Sequence, residues 1–134
     1  MSRPVVVMPD AVAVTVDYLR SALAGAGRPV PVGARVPSPR PVEFVRVERI
    51  GGLRRGAVSD SPRLDIHCWA ATEQDAQDLA QLARAHVGAM GGLRSGVAVY
   101  RVQEVGGPMW LPDETSGTPR YAFAVEIQMR GSKP

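Results

Sequence analysis

Residues 42–70 read VEFVRVERIGGLRRGAVSDSPRLDIHCWA, and whether this stretch is one long hairpin or two separate elements decides the fold. Successive side chains of a strand point to opposite faces. In Val42–Ile50 that period puts Val45 and Val47 on one side and Phe44, Arg46, Glu48 and Ile50 on the other. In Arg63–Ala70 it puts Leu64, Ile66 and Cys68 on one face and Asp65, His67 and Trp69 on the opposite face. Between them lie Gly51, Gly52 and Gly56 with Arg54 and Arg55. That composition predicts a flexible hairpin tip joining two antiparallel strands. A phosphate-binding Walker loop would need G-x-x-x-x-G-K-[ST] between a strand and a helix. Here no G-K-[ST] occurs and a strand follows.

Outward from the hairpin, Asp10 precedes AVAVTVDYLRSALAGAG, in which Val12, Val16, Leu19 and Leu23 recur at helical spacing. A first helix is predicted, with Asp10 as its N-cap and Gly25 as its stop. From Gly27 to Pro41, prolines and glycines alternate with Val30, Val32 and Val36, which predicts a loop holding one short edge strand near Arg35. After the hairpin, Thr72 followed by Glu73 and Asp75 has the pattern of a helix start. Ala76, Leu79, Ala80, Leu82, Ala83, Val87 and Met90 form an apolar stripe rich in small residues, ended by Gly91-Gly92. Val97–Val105 and Arg120–Met129 read as two more strands around the loop Gly106–Pro119, with Tyr121, Phe123, Val125, Ile127 and Met129 sharing a face. The order predicts an α+β fold: a mainly antiparallel sheet of four to five strands, two helices packed on one face, and long hairpin and loop arms. At 134 residues the chain is read as one domain, 1–134, with 1–8 and 131–134 as flexible ends.

The apolar fraction of 45% is ordinary, but much of it is Val and Ala, so the core is expected to be thin and association with further copies to help it. Net charge is +3, and apart from Arg54-Arg55 the basic residues are interleaved with acidic ones. A dedicated nucleic-acid domain gathers them on one face instead. The single cysteine, Cys68, excludes an intrachain disulfide and fits a reducing, intracellular origin. The opening MSRPVVVMPD has too short an apolar run for a signal peptide, and no stretch approaches the ~18 apolar residues a membrane helix needs.

Chemistry is sparse. His67 and Cys68 are neighbours on a strand and point to opposite faces, so they cannot hold one metal ion, and His86 has no spaced partner. Asp65 and His67 share a face, but Cys68 points away from both and no serine sits in a G-x-S-x-G turn. Asp113 and Glu114 fall in a glycine-containing loop with the look of a solvated turn. No enzyme, cofactor or metal site is predicted. What stands out is Trp69 at a strand end and Met109, Trp110 and Leu111 in a long loop. Such groups either cap the domain's own core or meet another chain, since Trp and Met are enriched in interface cores. The arms 27–41, 51–62 and 106–119 exceed ordinary connection lengths, and long ordered loops are commonly functional.

Three patterns then stand together: VP-x-PRP-x-x-FVRV at Val36–Val47, DIHCWA-x-T-x-x-x-A-x-x-LA at Asp65–Ala80, and VGGP-x-x-LPD-x-x-SG-x-PRY at Val105–Tyr121. With them the chain, from Asp10 to Gly131, resembles the tail terminator proteins of long-tailed bacteriophages, in the form found in phages of actinobacteria. The resemblance implies a virion protein assembled in the host cytoplasm at the head-proximal end of the tail. It implies a homohexameric ring that caps the tail tube, ends polymerisation of the major tail tube protein, and offers a surface to the head-completion or connector protein. No catalysis, cofactor or membrane is implied. The interface would be drawn from Arg49, Leu53, Arg54, Arg55, Trp69, Met109, Trp110 and Leu111, with Arg54 and Arg55 facing DNA that passes non-specifically through the lumen.

Three rivals remain at the level of sequence. One is a head-completion or adaptor ring of the same neck. Another is a small basic nucleic-acid-binding module using Arg46, Arg49, Arg54 and Arg55, against which count Glu48 and the scarcity of aromatics for stacking. The last is an enzyme built on Asp65, His67 or Cys68.

Overall fold

The structure, a computed structural model, describes residues 3–134. Two helices form where the caps were expected. Helix α1 spans Ala11–Gly25, with the Ala13 N–H donating to the Asp10 carboxylate at 3.0 Å. Helix α2 spans Glu73–Gly88, with the Asp75 N–H donating to the Thr72 hydroxyl at 3.1 Å. Each cap satisfies a donor that the first turn leaves without a partner. Gly25 lies inside α1, and the left-handed residue beyond the helix end is Gly27, with φ of 78°.

The strands are β1 (Val32–Gly33), β2 (Phe44–Arg54), β3 (Ser59–Trp69), β4 (Gly92–Arg94), β5 (Val97–Trp110) and β6 (Arg120–Arg130). They form one sheet in the order β1-β2-β3-β6-β5-β4. The β1–β2 pair is parallel and every other pair is antiparallel. The fold is therefore α+β as expected, but the sheet is mixed and has six strands rather than four to five. The short edge strand expected near Arg35 is β1, and the strand that was not expected is β4. Strand β1 sits at Val32–Gly33, a little before Arg35, and pairs with Val45 and Arg46. Strand β4 was hidden because Gly91-Gly92 reads as a helix terminator. It pairs back on β5 through Ser95 and Gly96, whose φ values of 48° and 77° give the doubly left-handed turn that suits a tight hairpin.

Both helices cover the same face of the sheet. Leu19 and Leu23 of α1 and Leu79, Ala80, Ala83 and Val87 of α2 share one core cluster with Val45, Val47, Leu64, Ile66, Cys68, Phe123, Val125, Ile127 and Met129. Burying a large aliphatic side chain contributes about 1.5–3 kcal/mol, so this layer supplies the main driving force of folding. Ala76, Ala80 and Ala83 of α2 are fully buried in this layer.

The predicted hairpin tip is corrected. Strand β2 runs through Gly51, Gly52 and Leu53 to Arg54, and β3 begins at Ser59, so the turn is only Arg55–Val58. The ladder survives the glycines because a bulge between Arg49 and Gly52 absorbs them, leaving Gly52 opposite Pro62. Gly52 has φ of 92°, and a Cβ there would lie 2.1 Å from the Ser61 carbonyl oxygen. Pro62 has no N–H for the ladder and would normally be excluded from a central strand, but next to a bulge it is tolerated. The arm 106–119 shrinks for a similar reason. Strand β5 continues to Trp110, with register shifts on both sides of Gly106, and only 111–119 is loop.

The chain ends meet one another. The Val7 N–H donates to the Ser132 carbonyl at 2.8 Å, the Ser132 N–H returns to Val7 at 3.0 Å, and the Gly131 N–H donates to Val58 in the hairpin turn at 2.7 Å.

Gly52→Ala is expected to destabilise the domain by about 1–3 kcal/mol, the usual size of local backbone strain, and to speed amide exchange along Leu53–Ser61 while β6 stays protected. Thermal melting with hydrogen exchange checks this. An unchanged melting temperature would show that the bulge does not need glycine.

Candidate interaction surface

The expected interface residues separate into three environments. Trp69 is inside: at 2% exposed it stacks on Phe44 with ring centroids 4.4 Å apart, and its indole N–H donates to Asp113 at 3.3 Å. Of the two roles open to it, Trp69 caps the domain's own core. It does so on the sheet face opposite the helices, where Arg40 and Arg120 lie over its ring at 5.7 and 5.2 Å.

Met109, Trp110 and Leu111 are half-exposed at the end of β5, Met109 most of all at 59%. Trp110 leans on Tyr121 with centroids 5.4 Å apart and leaves the rest of its surface in solvent. Leu53, Arg54 and Arg55 lie on the β2–β3 arm, with Leu53 67% exposed.

The two exposed groups sit at opposite ends of the sheet. Trp110 pairs with Tyr121 at the start of β6, beside the Trp69–Arg120 pair, whereas the hairpin arm ends where Ser59 meets Arg130. At about 3.3 Å per residue along β6 they are roughly 30 Å apart. One partner binding a single small patch cannot touch both.

The arginines are less free than the sequence implied. Arg49 donates to Asp60 at 3.2 Å and to the Gly51 carbonyl at 3.1 Å. Arg54 is folded back on the carbonyls of Gly56 and Ala57, at 3.0 and 2.6 Å, and Arg55 lies 3.5 Å from Glu126. The bare sheet face alternates Arg46, Arg63 and Arg101 with Glu48, Asp65 and Glu126 rather than forming a basic stripe.

Sequence reasoning missed several exposed apolar groups: Ile50, Val58, Leu93, Tyr100 and Val105. Their alternation looks like that of any half-buried strand. Only the strand order reveals that β2 and β5 lie next to the sheet's margins.

The residues with catalytic potential are held apart or silenced. Cys68 is buried in the helix-side core, and burial pushes its thiol well above the ordinary range. His67 is buried on the other face beside a cleft of about 110 Å³ that Asp65, Met109, Leu111 and Ala122 also line. Neither of its ring nitrogens has a hydrogen-bond partner, although Glu48 lies 3.6 Å from Nε2. Burial first, then the nearby Arg120, lower its pKa from 6.5, against the opposing pull of Asp65 and Glu48. No group of three or more metal-binding side chains occurs among the described residues.

Asp113 is the polar hub of this end of the molecule. It accepts from Arg40 at 2.9 Å, from Trp69, and from the backbone N–H groups of Thr115 and Ser116 at 3.0 and 3.3 Å. It thereby ties the 34–43 loop, the aromatic cap and the 111–119 loop together. Burial disfavours its charge, but the bonds from Arg40, Ser116 and Thr115 outweigh that and hold its pKa down at about 2.

No protein-family model matches the chain, and no curated protein matches it.

Two pH effects follow. Asp113 has a folded pKa below its ordinary 3.8, so its contribution is complete above that value and is lost as pH falls toward about 2. The stability gap between wild type and Asp113→Asn, measured by urea unfolding, is expected to close over that interval; a constant gap would mean the carboxylate charge is irrelevant. For His67 the unfolded chain takes up a proton near pH 6.5 and the folded chain resists it. Stability present above that pH falls below it, and His67→Gln is expected to flatten this slope.

Proposed function

We propose that the chain is a structural subunit of a bacteriophage tail, closing as a homohexameric ring on the end of the tail tube. The ring ends tube polymerisation and carries the surface for head joining, without catalysis. The observation that carries the reading is the pair of exposed apolar groups at opposite ends of one sheet, Leu53 on the hairpin arm and Met109, Trp110 and Leu111 at the end of β5. A plug between two different assemblies needs two such faces. A monomeric enzyme or a nucleic-acid module needs one cleft or one basic face instead. In the proposed ring, one end meets the major tail tube protein and the other meets the head-completion or connector protein. DNA passes through the lumen without being gripped, because Arg49, Arg54 and Arg55 already have acceptors within the chain.

Loss of the protein is expected to give overlong tail tubes, measured by electron microscopy. Tubes of normal length that lack heads would assign it to the neck as an adaptor instead. Leu53→Glu and Trp110→Ala are each expected to leave the melting temperature within about 2 °C, as exposed substitutions do. One should release tube length and the other should abolish head joining. Loss of both functions in both variants would argue against two separate faces.

A further inference from the structure

The two long strands nearest the sheet margins are almost uncovered. Strand β1 pairs only with Val45 and Arg46 of β2, and β4 pairs only with Val97, Ala98 and Val99 of β5. Beyond these, among the described residues, Val47–Ile50 pairs with no strand on the side away from β3, and Tyr100–Val105 with none on the side away from β6. An open edge is a row of unpaired N–H and C=O groups, and soluble proteins usually hide it.

We propose that these two edges pair with each other between copies, the β2 edge of one chain adding to the β5 edge of the next. This deepens the ring reading above and rests on it only for the premise that copies of the chain meet. Direction favours it. Strands β2, β3, β6 and β5 alternate, so β2 and β5 run in opposite senses. Rotation about an axis along the strands keeps every direction. The β2 of the next copy therefore arrives antiparallel to β5, and the alternation continues unbroken around a closed ring. Such a contact is heterologous, the kind that generates rings.

Charge fixes the register. On the bare face β2 offers Glu48, 3.3 Å from Arg46 of its own strand and 3.6 Å from His67, while β5 offers Arg101, which lines a polar hollow with Gln103 and Glu126. On the helix face β2 offers Arg49, beside Asp60, while β5 offers Glu104, which is paired with Arg84 of α2. With faces matched, placing Glu48 opposite Gln103 makes Glu48 a diagonal neighbour of Arg101 and Arg49 a diagonal neighbour of Glu104. Diagonal neighbours lie within reach of long side chains. A shift of two residues in either direction separates at least one of these pairs. The ladder is confined to this stretch, because a bulge follows Arg49 on one strand, and on the other a register shift falls at Tyr100 and two more surround Gly106, ahead of Pro108.

The test is a chain carrying both Glu48→Cys and Gln103→Cys, treated with a short bifunctional thiol reagent; Cys68 is buried and stays unreactive. Denaturing electrophoresis is expected to show a ladder climbing past dimer and ending at the ring size, with neither single variant linking to itself. A dimer from either single variant would mean two-fold edge pairing and would overturn the proposal. So would absence of any ladder at concentrations where light scattering shows assembly, or a monomer at every concentration. Glu48→Arg and Arg101→Glu are each expected to weaken assembly at least tenfold and together to restore it. The tube-length experiment fails separately: a ladder with normal tubes keeps the edge pairing and discards the terminator reading, and overlong tubes with no ladder do the reverse.

Discussion

The molecule depends on β3 being buried from both sides while it pairs along both edges. Leu64, Ile66 and Cys68 lie under the two helices, and His67 and Trp69 are buried on the reverse face, with β2 and β6 hydrogen-bonded to either side. A strand in that position has no freedom of register, because a slip by one residue would drive Asp65 and His67 beneath the helices. Everything else is hung from it. The helices are fixed by its apolar face, the aromatic cap by Trp69, and the long arm by its pairing with β2 past the bulge.

The reverse face explains how a sheet with helices on one side only keeps a dry centre. Phe44 stacks on Trp69, Arg40 and Arg120 lie over the indole, and Asp113 binds both Arg40 and the indole N–H. Cation–π contacts and a charge-assisted hydrogen bond thus do the work a second helical layer would do elsewhere. His67 sits next to this cap without a hydrogen bond. Burial and Arg120 both favour its neutral form, against Asp65 and Glu48.

The placement of the exposed groups follows from the same framework. With four long strands of alternating direction, one end of the sheet carries the hairpin turn and the other carries the start of β6 and the end of β5. Exposed apolar groups therefore lie at the two ends of the sheet, and much of the outer backbone of β2 and β5 runs unpaired along its two sides.

The helices, their N-caps, the four long strands and the side that most residues of β2, β3 and β6 face could be read from the sequence, because helical and strand periods and capping are local properties. Asp10 and Thr72 cap as their chemistry requires, and Leu64, Ile66 and Cys68 face inward as alternation requires. The reach of the strands could not be read. Gly51, Gly52, Pro62 and Gly106 carry the local signature of turns, and only pairing with a neighbouring strand turns them into bulges. Nor could burial be assigned to the tryptophans: Trp69 and Trp110 look alike in the sequence, but one meets Phe44, Arg40 and Asp113 from distant segments and is buried, whereas the other leans on Tyr121 and stays 42% exposed. Contacts between residues far apart in the chain exist only once the sheet order is set, and that order also decides which edges stay open.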